Sequence, residues 1–144
     1  MGEWLGVPEW LAVTAFVIGG LAIWLTRGFV MLRRAHRRVA ARRPNPTDAE
    51  FFAMMAQDCS PEAARFVWQQ ALIYIAPRLT PHPDDHLLDD LCIDDDDIDT
   101  DWVSEWADQR GVLQKTLPDW PKDWPLTVRN FARWLDLVPA SAAA

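Results

Sequence analysis

Ten aspartates lie within residues 84–101 of this 144-residue chain, and such a cluster could bind a divalent cation or a basic protein. The cluster contains no glutamate and includes four consecutive aspartates, from Asp94 to Asp97. Carboxylate oxygens are the ligands that calcium and magnesium prefer. Like charges at this density repel one another, so a cation, a basic surface or a helix start should offset them. The cluster is therefore the first candidate for function.

The spacing of the aspartates does not fit a calcium loop of the EF-hand type. In that loop alternate positions supply oxygen ligands, the sixth residue is glycine and the twelfth is a bidentate glutamate. A loop that starts at Asp94 has Ile98 at a ligand position and Asp99 in place of the glycine. A loop that starts one residue later ends on Trp106, which cannot bind a cation. We expect no calcium loop in either register.

Two histidines, His82 and His86, lie beside the first four aspartates and form a second set of candidate ligands. Imidazoles four residues apart share one face of a helix, where they can bind zinc or nickel. Pro81 and Pro83 make a helix through this segment unfavourable, so we predict a solvated loop and no metal site. A cation-binding or sensor function for the aspartate-rich loop stays open as the alternative.

The interpretation that we prefer is an acidic face that binds a basic protein partner. The second half of the cluster precedes or begins a predicted helix, where the helix dipole favours negative charge. Such a face attracts a basic partner over a distance and adds charge pairs at the rim of the contact. The predicted partner-binding residues are Asp94, Asp95, Asp96, Asp97, Asp99 and Asp101.

The sequence contains no recognisable set of catalytic or cofactor-binding residues. Cys59 and Cys92 have neither a convincing histidine partner nor CxxC spacing, and the six glycines form no phosphate-binding loop. We therefore predict no enzyme activity and no cofactor. Residues 44–144 carry 19 acids against seven bases, which argues against nucleic acid as a partner because phosphate contacts need a basic patch.

An apolar run near the N-terminus predicts a single transmembrane helix. Residues 10–26 contain no charged side chain, and a helix over residues 10–32 would measure about 34 Å, enough for a hydrocarbon core of about 30 Å. Two acids and no base precede this run, whereas arginines follow it. Because positive charge stays on the cytoplasmic side, we predict an inner-membrane protein with its N-terminus outside and its C-terminal domain in the cytoplasm.

The arginines after the apolar run recur at helical spacing and predict contact with anionic lipid headgroups. The predicted membrane-surface residues are Arg33, Arg34, Arg37, Arg38, Arg42 and Arg43. Within the run, Ala15, Gly19 and Gly20 form a notch of small residues that would let two helices pack closely. A homodimer through the transmembrane helix is therefore an alternative to a monomeric anchor.

Capping and proline signals divide the rest of the chain into helices, and no strand pattern occurs. Thr47 with Glu50 predicts a capping box, Ser60 an N-cap and Gly111 a C-cap. The predicted helices cover residues 48–57, 61–76, 97–110 and a last helix after Thr127. Six tryptophans should supply much of the core, namely Trp68, Trp102, Trp106, Trp120, Trp124 and Trp134.

These elements predict an all-α protein, in which an N-terminal transmembrane helix precedes a small bundle of four or five helices. We place an anchor with its basic juxtamembrane helix over residues 1–43 and a linker with a short helix over residues 44–60. An acidic helical domain follows over residues 61–138, and a disordered tail covers residues 139–144. The domain contains one long loop, from Arg78 to about Ile93.

The stretch D-L-C-I-D-D-D-D over residues 90–97, followed by an amphipathic helix, resembles the acyl-carrier-protein pattern, in which D-L-G-x-D-S-L opens the second helix. It is more similar to an uncharacterised bacterial family of carrier-like domains that reads D-L-G-I-D-G-D-D. That family also ends with P-L-T-V, a helix and a tryptophan, as residues 125–134 do here. The resemblance covers roughly residues 61–137 and implies a four-helix, carrier-like bundle.

The same resemblance implies that the carrier chemistry is missing. A working carrier holds phosphopantetheine on the serine of the motif, and Asp95 occupies that position here. A carboxylate cannot take up this group as a hydroxyl does, so the resemblance implies a docking module without a prosthetic group. A genuine carrier is the third hypothesis, and a phosphopantetheine adduct would establish it.

Overall fold

A computed structural model describes residues 8–138, and this part of the chain is all-α, as predicted. A π-helical turn, Asp97–Trp102, leads into the fourth helix, and a 3-10 turn, Gln114–Thr116, follows it. The predicted tail over residues 139–144 lies outside the described residues. The helices are α1 (Glu9–Arg42), α2 (Asp48–Met55), α3 (Pro61–Ile75), α4 (Val103–Arg110) and α5 (Val128–Leu135).

The helices begin and end where the capping signals predict. The Thr47 side chain accepts a hydrogen bond from the Glu50 amide, and the Glu50 carboxylate accepts one from the Thr47 amide at 2.8 Å. Ser60 caps α3 through the Ala63 amide. Gly111 ends α4 with a left-handed φ of 65°, a conformation that glycine adopts without steric cost. These contacts satisfy backbone groups that have no partner within the helix.

The start of the predicted helix over residues 97–110 has an unusual geometry. Its first six residues form the π-helical turn, in which the Val103 amide donates to the Ile98 carbonyl instead of a carbonyl one residue closer. This wider turn keeps Ile98 and Trp102 buried. The aspartates between them, Asp99 and Asp101, remain exposed.

The division of the chain differs from the predicted domain boundaries. The described part of the chain separates into two compact units between Arg34 and Ala35, inside α1. The last turns of α1 belong to the second unit because His36 and Val39 are buried there. The predicted linker over residues 44–60 is also part of this unit, and its Phe51 and Met55 are completely buried.

In the first unit, α1 exposes its apolar side chains. Phe16 is 83% exposed and Trp24 is 70% exposed, whereas a core helix of a soluble protein buries an apolar face. Among the described residues, α1 is the one helix long and apolar enough to cross a membrane, in agreement with the predicted anchor. A Cβ atom added at Gly19 or Gly20 would meet no atom within 4 Å, and the homodimer through this notch stays a prediction.

Aromatic side chains fill the centre of the second unit. Trp102 is 1% exposed, and its ring centroid lies 5.7 Å from that of Phe131. The Trp120 ring lies 6.3 Å from that of Phe131, and its indole nitrogen donates to the Trp124 carbonyl at 3.0 Å. The predicted tryptophan core is therefore confirmed, with four rings buried (Trp68, Trp102, Trp106 and Trp134) and two half-buried (Trp120 and Trp124).

We expect Phe131→Ala to lower the free energy of unfolding by about 3–5 kcal/mol, because it removes a buried ring from among three tryptophans. Urea unfolding of the full chain in a nonionic detergent, followed by tryptophan fluorescence, measures the loss. The control Ile73→Ala removes a side chain that is 73% exposed and should change the free energy by less than about 0.5 kcal/mol. A loss below about 1 kcal/mol for Phe131→Ala would contradict this packing.

Candidate functional site

The structure separates nine of the ten clustered aspartates into two groups, and the tenth, Asp89, lies 3.5 Å from the His86 ring. In the first group, Asp84, Asp85 and Asp90 lie in the loop before Ile93, and each forms an ion pair with an arginine. We call the second group the acidic face, and it consists of the predicted partner-binding residues Asp94, Asp95, Asp96, Asp97, Asp99 and Asp101. Among residues 8–138, no lysine or arginine lies within 4.0 Å of an acidic-face carboxylate.

Arg43 and Asp85 form a buried, bidentate ion pair that joins the end of α1 to the loop. Arg43 Nε donates to Asp85 Oδ1 at 2.9 Å, and its Nη2 donates to Oδ2 of the same carboxylate. The two side chains are only 13% and 6% exposed. A carboxylate from 42 residues further along the chain thus holds Arg43, one of the predicted membrane-surface residues, inside the second unit, and its contact with lipid headgroups stays a prediction.

Two further contacts hold the same end of α1. Arg42 Nη2 lies 2.5 Å from Asp90 Oδ1, and the buried His36 ring places its Nε2 3.1 Å from the Leu91 carbonyl oxygen. Burial raises the pKa of Asp90, but the His86 amide and the Arg42 guanidinium outweigh it, so this pKa lies below its usual value. Arg42 thus pairs with the loop while its side chain remains 64% exposed, and its predicted contact with the membrane surface stays a prediction.

The other four predicted membrane-surface arginines are exposed: Arg33, Arg34, Arg37 and Arg38. In the part of the chain that the structure describes, none of these four arginines forms an ion pair with a carboxylate. Arg33 lies over the Phe29 ring, with its guanidinium carbon 4.2 Å from the ring centroid. Their contact with lipid headgroups stays a prediction.

The loop before the acidic face is packed, which contradicts the predicted solvated loop. Leu87 and Leu91 are buried, and the Leu87 amide donates to the Leu126 carbonyl at 2.9 Å. The first amides of α5, at Val128 and Arg129, donate to loop carbonyls at 3.0 and 2.8 Å. The loop thereby satisfies amides that have no partner within α5.

Arg129 of α5 connects this loop to the segment between α2 and α3. The Arg129 guanidinium donates to the Asp84 carboxylate at 3.1 Å and also to the Asp58 carboxylate. Burial lowers the pKa of Arg129, but these two carboxylates outweigh it and raise the pKa overall. Asp84, like Asp85 and Asp90, therefore has a structural partner within the chain.

The aspartates of the acidic face, unlike the three loop aspartates, have no arginine partner among the described residues. Asp97 is half-buried, and the other five side chains are exposed. Burial and the nearby carboxylates of Asp95 and Asp96 raise the pKa of Asp99. A raised carboxyl pKa means that the folded chain disfavours the charged form, so repulsion within this face is not neutralised by the chain itself.

The two histidines do not converge on a metal site. His82 Nδ1 accepts a hydrogen bond from the Asp84 amide at 3.2 Å, and His86 Nδ1 accepts one from the Asp89 amide at 3.3 Å. Within residues 8–138, no group of three or more histidine, cysteine, aspartate or glutamate side chains is placed to hold a metal ion. The alternative cation-binding function has no preformed site in this part of the chain.

The cysteines differ in exposure but share a raised pKa. Burial is the main cause at Cys59, with additional repulsion from Asp136 and Asp58, and it raises the pKa to about 11. Burial also raises the pKa of Cys92, which lies close to Asp90. Because a thiolate rather than a thiol attacks a substrate, both side chains are poor nucleophiles at neutral pH.

We expect Asp85→Asn to lower the free energy of unfolding by about 3–5 kcal/mol, because it leaves the Arg43 guanidinium buried without its counter-charge. Asp95→Asn is the matched control, since it removes an exposed carboxylate from the same cluster and should change the free energy by less than about 0.5 kcal/mol. Urea unfolding of the full chain in detergent measures both. Equal effects of the two variants would contradict the division of the cluster into two groups.

Comparisons of the chain with models of protein families, with curated proteins and with solved structures return no match. The carrier-like resemblance thus stays an interpretation of the motif over residues 90–97.

Proposed function

We propose that this chain is a membrane-anchored docking module whose acidic face binds the basic surface of a partner protein. The observation that carries the proposal is the contrast within one cluster of aspartates. Asp84, Asp85 and Asp90 have arginine partners, whereas the acidic face forms no ion pair with lysine or arginine within the described residues and five of its six side chains are exposed.

The energetics of the acidic face favour an external partner. Each added carboxylate raises the repulsion among the others; at Asp99, burial and then the carboxylates of Asp95 and Asp96 raise the pKa. A basic surface would relieve this repulsion and gain charge pairs at the rim of the contact. In the free protein the clustered carboxylates repel one another. Binding of a basic surface would remove this repulsion and so strengthen the affinity.

Backbone geometry supports the resemblance to a carrier motif. Cys92 has a φ of 56°, in the left-handed region that favours glycine, and the motif has a glycine at this position. Asp95, at the position of the prosthetic-group serine, is exposed. A carrier-like domain that lacks this serine cannot hold the prosthetic group, but it keeps the acidic start of its helix as a docking surface. We therefore propose a non-enzymatic adaptor without a cofactor.

The proposed location is the bacterial inner membrane, with the second unit in the cytoplasm. The support is the charge asymmetry around the apolar run of residues 10–26, which is followed but not preceded by arginines, the first being Arg27. Arg33, Arg34, Arg37 and Arg38 remain exposed and available to the membrane surface.

Reporter fusions after Ala144 test this orientation. We expect a fluorescent protein fused there to be fluorescent and an alkaline phosphatase fused there to be inactive, because the phosphatase needs the disulfides that form outside the cytoplasm. A fusion of each reporter to a known periplasmic protein is the control. An active phosphatase after Ala144 would show that the second unit lies outside.

In-cell crosslinking tests the docking face. A photoreactive amino acid at Thr100, which is exposed within the acidic face, should yield a discrete crosslinked product with one protein. The triple variant Asp95→Asn, Asp96→Asn and Asp99→Asn should reduce this product by about tenfold, because a desolvated or well-aligned charge pair contributes about 1.4 kcal/mol or more to binding.

The control for this experiment neutralises three exposed acids elsewhere on the same unit, through Glu62→Gln, Asp119→Asn and Asp123→Asn. The change in net charge is identical, so a purely nonspecific attraction would weaken by the same amount in both triple variants. The proposal requires that the control keep the crosslinked product. Equal loss in both variants, or no discrete product from Thr100, would refute the docking function.

A further inference from the structure

A cavity of about 260 Å³ lies between α2 and α3, within the second unit. Met55 and Ala64 are buried and form its floor, whereas Ala56 and Arg65 are exposed and form its mouth. The wall residues used below are Phe52, Met55, Ala56, Cys59, Ala64 and Arg65.

The size of this cavity limits what it can hold. An apolar cavity of about 150 Å³ in another protein takes up one benzene molecule, which has six carbon atoms. On the same scale, about 260 Å³ has room for about ten non-hydrogen atoms. The cavity therefore suits an aromatic ring with a short substituent and is too small for a larger cofactor.

The composition of the wall favours an aromatic ring. The Phe52 ring is held in place by two neighbours, with its centroid 5.7 Å from that of Phe51 and 6.1 Å from that of Trp68. Sulfur atoms make favourable contacts with aromatic rings, and the wall contains both Met55 and Cys59. Edge-to-face and offset contacts between rings add to the burial of apolar area.

The one charged residue among those that line the cavity lies at its mouth. Arg65 is exposed and forms no ion pair within residues 8–138. Glu62, one turn earlier on α3, is exposed and is not part of the wall. A guanidinium presents a planar fork of N–H donors that matches the two oxygens of a carboxylate. The mouth therefore favours a ligand with a negative charge.

The charges near Cys59 decide which way round such a ligand lies. Burial is the main cause of the raised pKa of Cys59, and repulsion from Asp136 and Asp58 adds to it. The thiol is therefore uncharged at neutral pH and keeps this end of the cavity apolar. Both carboxylates have partners within the chain, but they still disfavour an anion beside the thiol. The negative group of the ligand thus belongs at Arg65.

We propose that this cavity binds a small aromatic carboxylate, with its ring against Phe52 and Met55 and its carboxylate on Arg65. Size, apolar wall and charge all select the same class of molecule. The inference depends neither on docking by the acidic face nor on the membrane anchor, because every residue that carries it lies within residues 52–65.

NMR of the full chain with isotope-labelled methionine methyl groups, in a nonionic detergent, tests the proposal with hydrocinnamate. A bound ring shifts the resonance of a methyl group beside it, so we expect a saturable shift for Met55. Met54 and Met31 are the internal controls, because they are exposed and lie outside the cavity. A ligand that only entered the detergent micelle would not give a saturable shift at Met55 alone.

The neutral amide and the amine of the same skeleton test the charge. We expect hydrocinnamate to bind about fivefold more tightly than hydrocinnamamide, since an exposed charge pair contributes about that much to affinity. Phenylpropylamine should bind more weakly than both. An amine that binds as tightly as the acid would overturn the proposal, and so would the absence of a saturable Met55 shift at about 10 mM hydrocinnamate, because a fragment that fits binds at least at millimolar concentration.

Variants at the mouth locate the ligand. Arg65→Gln should weaken hydrocinnamate binding about fivefold, to the affinity of the amide, and leave the amide unchanged. Lys115→Gln is the matched control, because it removes an equal charge from an exposed residue outside the cavity. Ala56→Leu should abolish the binding of both compounds by filling the mouth. Equal loss in Arg65→Gln and Lys115→Gln, or normal binding to Ala56→Leu, would contradict the assigned site.

Octanoate tests whether the ligand has to be aromatic. It has a carboxylate and a similar number of non-hydrogen atoms, but it lacks the ring that faces Phe52. We expect an equal concentration of octanoate to displace less than half of the bound hydrocinnamate. Displacement of most of it would overturn the assignment to an aromatic acid. The crosslinking experiment at Thr100 does not use this cavity, so the two proposals fail independently.

Discussion

The buried ion pair between Arg43 and Asp85 is the interaction on which the arrangement of the second unit depends. It joins the end of α1 to a loop that would otherwise have to bury an aspartate alone. The loop held in this way supplies the carbonyl groups that accept hydrogen bonds from the first amides of α5. Through this loop, Arg43, which directly follows α1, helps to hold the last helix of the bundle.

The same ion pair explains why one cluster of aspartates can have two roles. Loop aspartates that face arginines stabilise the fold because opposite charge is supplied at short range. The π-helical turn keeps Ile98 and Trp102 inside, and the carboxylates of Asp99 and Asp101 are thereby left in solvent. The acidic face is thus a consequence of packing apolar side chains, and its unneutralised charge is what a basic partner could use.

Local signals predicted most of the fold, whereas contacts between distant residues could not be predicted. Capping residues such as Ser60 and Gly111 act within one helical turn, so the sequence alone locates the helix ends. The pairing of Arg43 with Asp85 spans 42 residues, and no periodicity in the sequence indicates it. Val39, an apolar residue among the arginines, was the one sign that this end of α1 packs against the bundle.

The arginines after the apolar run have different roles at different stages in the life of the chain. The N-terminal part of a chain emerges first during synthesis, so in the proposed membrane topology Arg42 and Arg43 would be unpaired when α1 inserts. All six arginines can therefore determine orientation. Once the loop has been made, Asp85 and Asp90 pair with Arg43 and Arg42, whereas Arg33, Arg34, Arg37 and Arg38 form no ion pair within residues 8–138. A single basic run can thus direct insertion first and then divide between the fold and the membrane surface.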